Sequence, residues 1–299
     1  MHFTILPATP KTAQATIRAL LASDPSASLR GVYRDLSRVP TDFASHPRFE
    51  AVQGDLADPA SYAAHLKGTD GVFHVQPPVY DPERDLVGYT TRVSEGVKAA
   101  VKEGGVKRLV VVSSMGAQYE GTGEIISNHV AEGILGDAAP EVVFVRCGYF
   151  MENWAAALET IPEAGFFFTT FTPTDLKLPH IAIKDIGQTC ADELLATGTA
   201  LKTSPHVFDL CSPRKLSSVD VHKAWEEAAG KTIEMKVIPK EGLAEFYGTV
   251  FPPAIAESYV EMNVALLPGG IIVEDPSPTG ETRHGKTELV EVFKQLLGA

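Results

Sequence analysis

The sequence predicts an α/β fold, a doubly wound parallel sheet followed by a smaller C-terminal α/β lobe. Three observations carry this expectation. Short apolar runs alternate with amphipathic segments through residues 1–150, the pattern of strands joined by crossover helices. The run "VKRLVVVSSMGA" at 106–117 has a continuous apolar centre, as a strand buried on both faces requires. After Phe150 the regularity breaks and aromatic clusters take its place. The predicted units are 1–150 and 151–299, with some segments of the second returning to the sheet.

In chain order, "HFTIL" reads as a strand and "TAQATIRALLASD" as a helix with Ile17, Leu20 and Leu21 on one face. "SLRGVYRD" and "FEAVQGDLADP" read as the second and third strands. "PASYAAHLKG" is a short helix, and "DGVFHVQPP" a fourth strand stopped by two prolines. "RDLVGYTTRVSEGVKAAVKEGG" is a long amphipathic helix ending in a glycine cap. A fifth strand ends at Ser113 and Ser114. "SNHVAEGILGD" is a helix with Ser127 as its N-cap, and "EVVFVRCGYF" is a sixth strand. Further on, "HIAIKDIGQTCADELLATG" reads as strand plus helix, and "SSVDVHKAWEEAAGK" as a capped helix before the strand "IEMKVIP". Helices then flank a Pro-Pro turn, and "KTELVEVFKQLL" closes the chain as an amphipathic helix.

A chain of 299 residues that is 44% hydrophobic can bury a large core. A net charge of −12 argues against nucleic-acid binding, which needs clustered Lys and Arg to neutralise phosphates. Cys147, Cys190 and Cys211 form no CxxC pair, so neither a zinc site nor a redox dithiol is expected. Their sparse, odd count fits a reducing compartment. "MHFTILPATPK" lacks the basic n-region of a signal peptide. No apolar stretch approaches the roughly 18 residues of a membrane span. The expectation is a soluble, cytoplasmic monomer or homodimer with no metal, nucleic-acid or membrane partner.

"ILPATPKTAQATIRALL", residues 5–21, has the register of the strand, turn and helix that open a dinucleotide-binding domain. With "GVYRD", "QGDLADP", "VKRLVVVSSMGAQ", "SNHVAE", "VRCGYFMENW" and "IAIKDIGQ", the chain resembles the NmrA-like group of atypical short-chain dehydrogenases/reductases over most of its length. The resemblance implies a Rossmann-type NAD(P)-binding domain with a small substrate lobe. The family's GxxGxxG turn maps onto Pro7, Pro10 and Ala13. Glycines there allow positive φ and let the backbone approach the pyrophosphate, whereas proline fixes φ and has no N–H to give. Each lost donor to a charged oxygen costs about 1.5–3 kcal/mol, or tenfold to a hundredfold in affinity. The expectation is an NADP(H) site that is weakened or lost.

Other features of that site remain. Thr9, Lys11 and Thr12 lie in the turn. Arg34 stands where the family places a basic residue against a 2′-phosphate, with Arg38 nearby, and arginine suits phosphate geometry. Asp55 and Leu56 match the adenine edge. Gln76 and His74 end the fourth strand and are expected at the cleft, Gln76 toward cofactor and His74 toward substrate.

The superfamily's Tyr-xxx-Lys pair is absent. Glu124 falls near the tyrosine position and Asn128 near the lysine, and Gly123 follows Tyr119 by four. NmrA-like members commonly lack the pair. The candidate acid–base groups are therefore Ser114, Tyr119, Glu124 and His129, with Glu124 or Glu132 as partner of His129. Packing or capping is the competing account of His129. Tyr149, Asn153, Trp154, Phe168 and Tyr247 are the candidate substrate contacts, and Cys147 reads as a buried inert thiol. Phe166, Phe167, Phe171, Phe246, Phe251 and Tyr259 add aromatic surface, suiting an apolar or aromatic small-molecule substrate. The resemblance, with its links to fungal specialised metabolism, and the altered turn favour non-redox acid–base chemistry such as isomerisation, cyclisation or dehydration. An NADP(H)-dependent oxidoreductase and a non-catalytic dinucleotide-sensing regulator are the alternatives.

Overall fold

The computed structural model describes residues 1–81, 85–274 and 279–298. Its elements run β1 (His2–Leu6), α1 (Lys11–Ser23), β2 (Ser28–Tyr33), α2 (Thr41–Ala44), β3 (Phe49–Gln53), β4 (Gly71–Val75), α3 (Leu86–Gly104) and β5 (Arg108–Ser114). Next come α4 (Ile126–Leu135), β6 (Glu141–Cys147), β7 (Tyr149–Phe150), α5 (Ile161–Ala164), β8 (Phe166–Thr169), β9 (His180–Ile181) and α6 (Ile183–Leu195). The chain ends with β10 (His206–Cys211), α7 (Ser218–Ala229), β11 (Glu234–Val237), α8 (Leu243–Val250), α9 (Pro253–Ala265), α10 (Ile271–Glu274), β12 (Thr282–His284) and α11 (Leu289–Leu297).

Eight parallel strands form one sheet in the order β12-β10-β6-β5-β4-β1-β2-β3. The direction of winding reverses between β1 and β4, so their C-terminal ends open a crevice where ligands of such sheets bind. The predicted Rossmann-type sheet is thus present, and both of its faces are covered. Phe3, Ile5, Ile17 and Phe208 belong to the core on one face, Leu6, Val97, Val111 and Phe144 to the core on the other. Two strands of the sheet, β10 and β12, come from the second half of the chain. A third core, around Trp154, Phe167, Trp225 and Phe293, fills the C-terminal lobe.

Local chemistry sets the element ends. The Asp85 carboxylate accepts the Gly88 N–H (2.8 Å) and caps α3. Gly105 closes that helix at φ +67°, a conformation that suits glycine. Arg84, expected to open this helix, lies outside the described residues. Ser217 and Asp220 form a reciprocal capping box on α7. Ser127 does not cap α4 as expected: it sits within the first turn and its hydroxyl donates back to the Glu124 carbonyl (2.8 Å). "PASYAAHLKG" forms two short 3-10 turns, Pro59–Ser61 and Ala63–Leu66, in place of one helix.

One buried network fixes α4 on the sheet. Arg146 of β6 donates to both oxygens of Glu132 (2.9 and 2.6 Å), and the Ser113 hydroxyl donates to the same carboxylate (2.6 Å).

Candidate functional site

The turn at 7–10 lies at the C-terminal end of β1. The Ala8 N–H donates to the Val32 carbonyl (2.9 Å), which ties the turn to β2. Pro10 is the N-cap of α1, its carbonyl accepts the Gln14 N–H (2.9 Å), and no side chain caps the helix. The amides of Lys11, Thr12 and Ala13 therefore remain at the helix end without intrahelical acceptors. Such an end is an anion site by geometry and dipole. The prolines remove only their own N–H groups. Ala13, at the third glycine position, buries its methyl fully within the sheet-side core. Thr9 is exposed and its carbonyl accepts from Gln14 (2.8 Å). Thr12 is buried, so it offers the helix end an amide and not its side chain.

Arg34 follows β2, is exposed, and forms no salt bridge among the described residues. Asp35 directs its carboxylate to the Ser37 N–H and hydroxyl (2.9 and 2.7 Å). The end of β2 thus presents guanidinium, which matches a phosphate better than a ribose diol. Asp55 shapes its own turn, its carboxylate accepting the Ala57 N–H (3.0 Å), and Leu56 is buried beside it. The donor set, a helix end with three amides and an arginine at the β2 exit, fits a phosphorylated dinucleotide.

Beyond the β4 exit lies a cavity of about 530 Å³. Gln76, Pro77 and Pro78 form its sheet-side wall, and Glu124, Ser127 and Asn128 a second wall at the start of α4. Tyr149, Asn153 and Trp154 enter from the β6 exit, Phe168, Thr170 and Phe171 from β8 and the segment after it. The α8–α9 hairpin closes it with Phe246, Tyr247, Phe251, Tyr259, Met262 and Asn263. Gly123 lets this hairpin approach: at φ +58°, it has no room for a Cβ, which would run into the Ser258 carbonyl and the Met262 amide.

The aromatic walls are held from behind. Trp154 Nε1 donates to His180 Nε2 (3.4 Å), while His180 Nδ1 donates to the Leu178 carbonyl (2.9 Å). Burial pushes the His180 pKa down to about 4, so the ring is neutral and Nε2 is free to accept. Phe171 meets Tyr149 edge-on at 5.1 Å, and Phe251 stacks on Tyr259 at 4.4 Å. Asn263 donates to Thr170 Oγ1 (2.6 Å) and Tyr247 Oη (3.0 Å). Burial raises the pKa of Tyr149, Tyr247 and Tyr259, keeping all three phenols protonated. Gln76 donates to Ser94 on α3 (2.6 Å), which orients its amide at the wall.

The proposed substrate contacts Tyr149, Asn153, Trp154, Phe168 and Tyr247 all line this cavity. His74 does not. It is fully buried, donates Nδ1 to the Leu6 carbonyl (2.8 Å), and burial lowers its pKa to about 4. Its position is corrected from the cleft to the junction of β1 and β4. Of the four acid–base candidates, only Glu124 is in the cavity wall. The Ser114 hydroxyl donates to the Met115 carbonyl (3.0 Å). Tyr119 belongs to the loop after β5 and is not part of the lining. His129 Nδ1 donates to the Ala117 carbonyl (2.9 Å), and its Nε2 lies 3.9 Å from Glu120. Of its two expected partners, Glu132 is held instead by Arg146 and Ser113. Cys147 is buried and burial pushes its thiol up. Among the described residues no group of three His, Cys, Asp or Glu side chains is placed to hold a metal, and no helix is long and apolar enough to cross a membrane.

Residues 8–167 match the NAD(P)H-binding family model. The chain belongs to this family. The NmrA-like, atypical short-chain dehydrogenase/reductase resemblance read from the sequence stands with it. The chain is 25% identical over 261 residues to an NAD(P)H azoreductase of Xenophilus azovorans, covering 84% of each chain. Its fold is similar to that of an Escherichia coli NADPH-dependent quinone oxidoreductase complexed with NADPH, with a TM-score of 0.77, 19% identity and coverage of 99% and 100%. It is also similar to NmrA, a negative transcriptional regulator, with a TM-score of 0.67, 16% identity and coverage of 98% and 94%.

Proposed function

We propose that this protein is an NADP(H)-dependent reductase that acts on a flat, apolar aromatic acceptor bound in the 530 Å³ cavity. One observation carries this proposal. The cavity is walled by the exits of β4 and β6, on the sheet edge that also presents the uncapped α1 terminus and Arg34. A nicotinamide bound along that edge would supply a hydride.

The residues of the chain do the rest. The amides of Lys11, Thr12 and Ala13 hold phosphate, and Arg34 selects the 2′-phosphate. Gln76 and Asn153 offer amides beside the acceptor. Trp154, Phe171 and the α8–α9 aromatics hold the acceptor flat and exclude water. Ser114, Tyr119 and His129 lie outside the lining, so the acid–base reading has less support than reduction. The similarity to an NAD(P)H azoreductase over 84% of the chain agrees with a reductase.

The test is a panel of quinones, azo compounds and enones mixed with purified protein and NADPH, followed by nicotinamide absorbance. Oxidation of NADPH with at least one aromatic acceptor is expected. Conversion of a panel member without any nucleotide, and no NADPH consumption, would restore acid–base chemistry.

A further inference from the structure

We propose that the Tyr247 hydroxyl is the hydrogen-bond donor that stabilises the negative charge arriving on the acceptor's oxygen or nitrogen during hydride transfer, with Asn263 and Thr170 as the residues that position it. The proposal deepens the reductase assignment and rests on it for the chemistry, but not for the hydrogen bond itself.

Three elements of the C-terminal lobe bring the group together. Tyr247 stands on α8, Asn263 on α9 and Thr170 just after β8, and all three line the cavity. Asn263 is buried. Its amide donates to Tyr247 Oη (3.0 Å) and to Thr170 Oγ1 (2.6 Å). Its Oδ1 is buried and meets no donor among the described residues. Turning the amide over would let Oδ1 accept from both hydroxyls, but it would strand two N–H groups in place of one oxygen, and each buried unpaired group costs stability. The amide is therefore the donor, and both hydroxyl oxygens accept from it.

The hydrogens can then be counted. The Thr170 hydroxyl is also a hydrogen-bond partner of the Tyr247 phenol. The two hydroxyls own two hydrogens, and one of them closes the bond between the pair. The other has no acceptor within the group and is left for the cavity. A phenol is a far stronger acid than an alcohol, so an atom gaining charge draws the Tyr247 hydrogen while Thr170 turns its own onto Oη. Two donors behind Oη polarise the outward O–H. Burial raises the Tyr247 pKa, and Thr170 and Asn263 act against that rise. The phenol thus keeps its proton and serves as a donor, not as an acid.

The chemistry needs such a donor. Gln76 belongs to the sheet-side wall, and the hairpin that carries Tyr247 closes the cavity over it. Hydride forms a C–H or N–H bond at one end of the acceptor's double bond. The π electron pair moves to the oxygen or nitrogen at the other end, and a solvent proton completes the reduction. Until that proton arrives, the charge sits among aromatic walls, where a fixed donor counts most. Among the described residues no lysine, arginine or histidine lines the cavity to take this role.

The experiment has two arms. The first, without nucleotide, is infrared difference spectroscopy of 2-acetylnaphthalene, labelled with carbon-13 at the carbonyl and bound to wild type, Tyr247→Phe and Thr170→Val. The bound carbonyl stretch is expected below its value in cyclohexane, to return to that value in Tyr247→Phe, and to return part-way in Thr170→Val. The second arm is steady-state reduction of 1,4-naphthoquinone by NADPH. Tyr247→Phe, which keeps the ring, is expected to lower kcat about a hundredfold with KM and unfolding temperature little changed, and Thr170→Val to lower kcat several-fold. No ketone bound at its solubility limit, a stretch equal in wild type and Tyr247→Phe, or an unchanged kcat in Tyr247→Phe would overturn the proposal. A stretch shifted by Tyr247 in a protein that consumes NADPH with no acceptor would refute the reductase assignment and leave the donor site standing.

Discussion

Arg146→Met removes the guanidinium that holds Glu132 against the sheet. The two side chains are 9% and 11% exposed and meet through two hydrogen bonds, with Ser113 as the third partner. The substitution leaves a buried carboxylate with one hydroxyl, and such an unpaired charge costs about 3–5 kcal/mol. An unfolding entropy of about 2.1 cal/mol/K per residue over this chain turns that into a fall of roughly 5–8 °C in Tm. The assay is differential scanning calorimetry of the wild type, Arg146→Met, and Arg146→Met combined with Glu132→Gln. The double variant has no stranded charge, and the introduced amide can still pair with Ser113. Recovery of at least half the lost Tm is expected. A double variant as unstable as the single one would refute this account, since Arg146 would then act through something other than Glu132.

Arg34→Ser is expected to weaken NADPH about tenfold and leave NADH unchanged, since only the former offers a phosphate there; titration of both nucleotides checks it. His74 and His180 are both buried and neutral, their pKa values lowered to about 4 from 6.5. The unfolded chain takes up these protons first, so their stabilisation is complete above pH 6.5 and is lost as pH falls towards 4. Tm measured across that window is expected to fall steadily with acid, and a flat profile would contradict it. Gly123→Ala puts a Cβ into the Ser258 carbonyl at a left-handed φ. It is expected to cost about 1–3 kcal/mol and to weaken every cavity ligand, as equilibrium unfolding and probe titration would show.

Much of the sheet was legible because its strands are short apolar runs between breakers. "HFTIL" coincides with β1, and Gly105 and Ser217 mark helix ends through chemistry local to each cap. The strands β10 and β12 were not assigned. β12 is only Thr-Arg-His, polar and too short for any period, and it exists because β10 offers it a parallel edge. The aromatic composition of the cavity was readable, but its assembly depends on the α8–α9 hairpin folding over the sheet edge. Asn263 was missed although a signal existed: Tyr259, Met262, Asn263 and Leu266 are spaced as one face of a helix, and all four line the cavity. His74 was misplaced because a polar residue at a strand end reads as facing a cleft. Its partner is a carbonyl 68 residues away, which no local pattern reveals. His129 failed similarly, since a loop carbonyl and Glu120 compete for its ring.

The proline turn decides the central claim, because it removes two expected donors yet leaves the end of α1 open. Calorimetric titration of the purified protein with NADPH measures this directly. Binding in the micromolar range, with NADH at least about tenfold weaker, is the predicted result. No binding at millimolar NADPH would contradict the account and leave a nucleotide fold whose cavity works without its nucleotide.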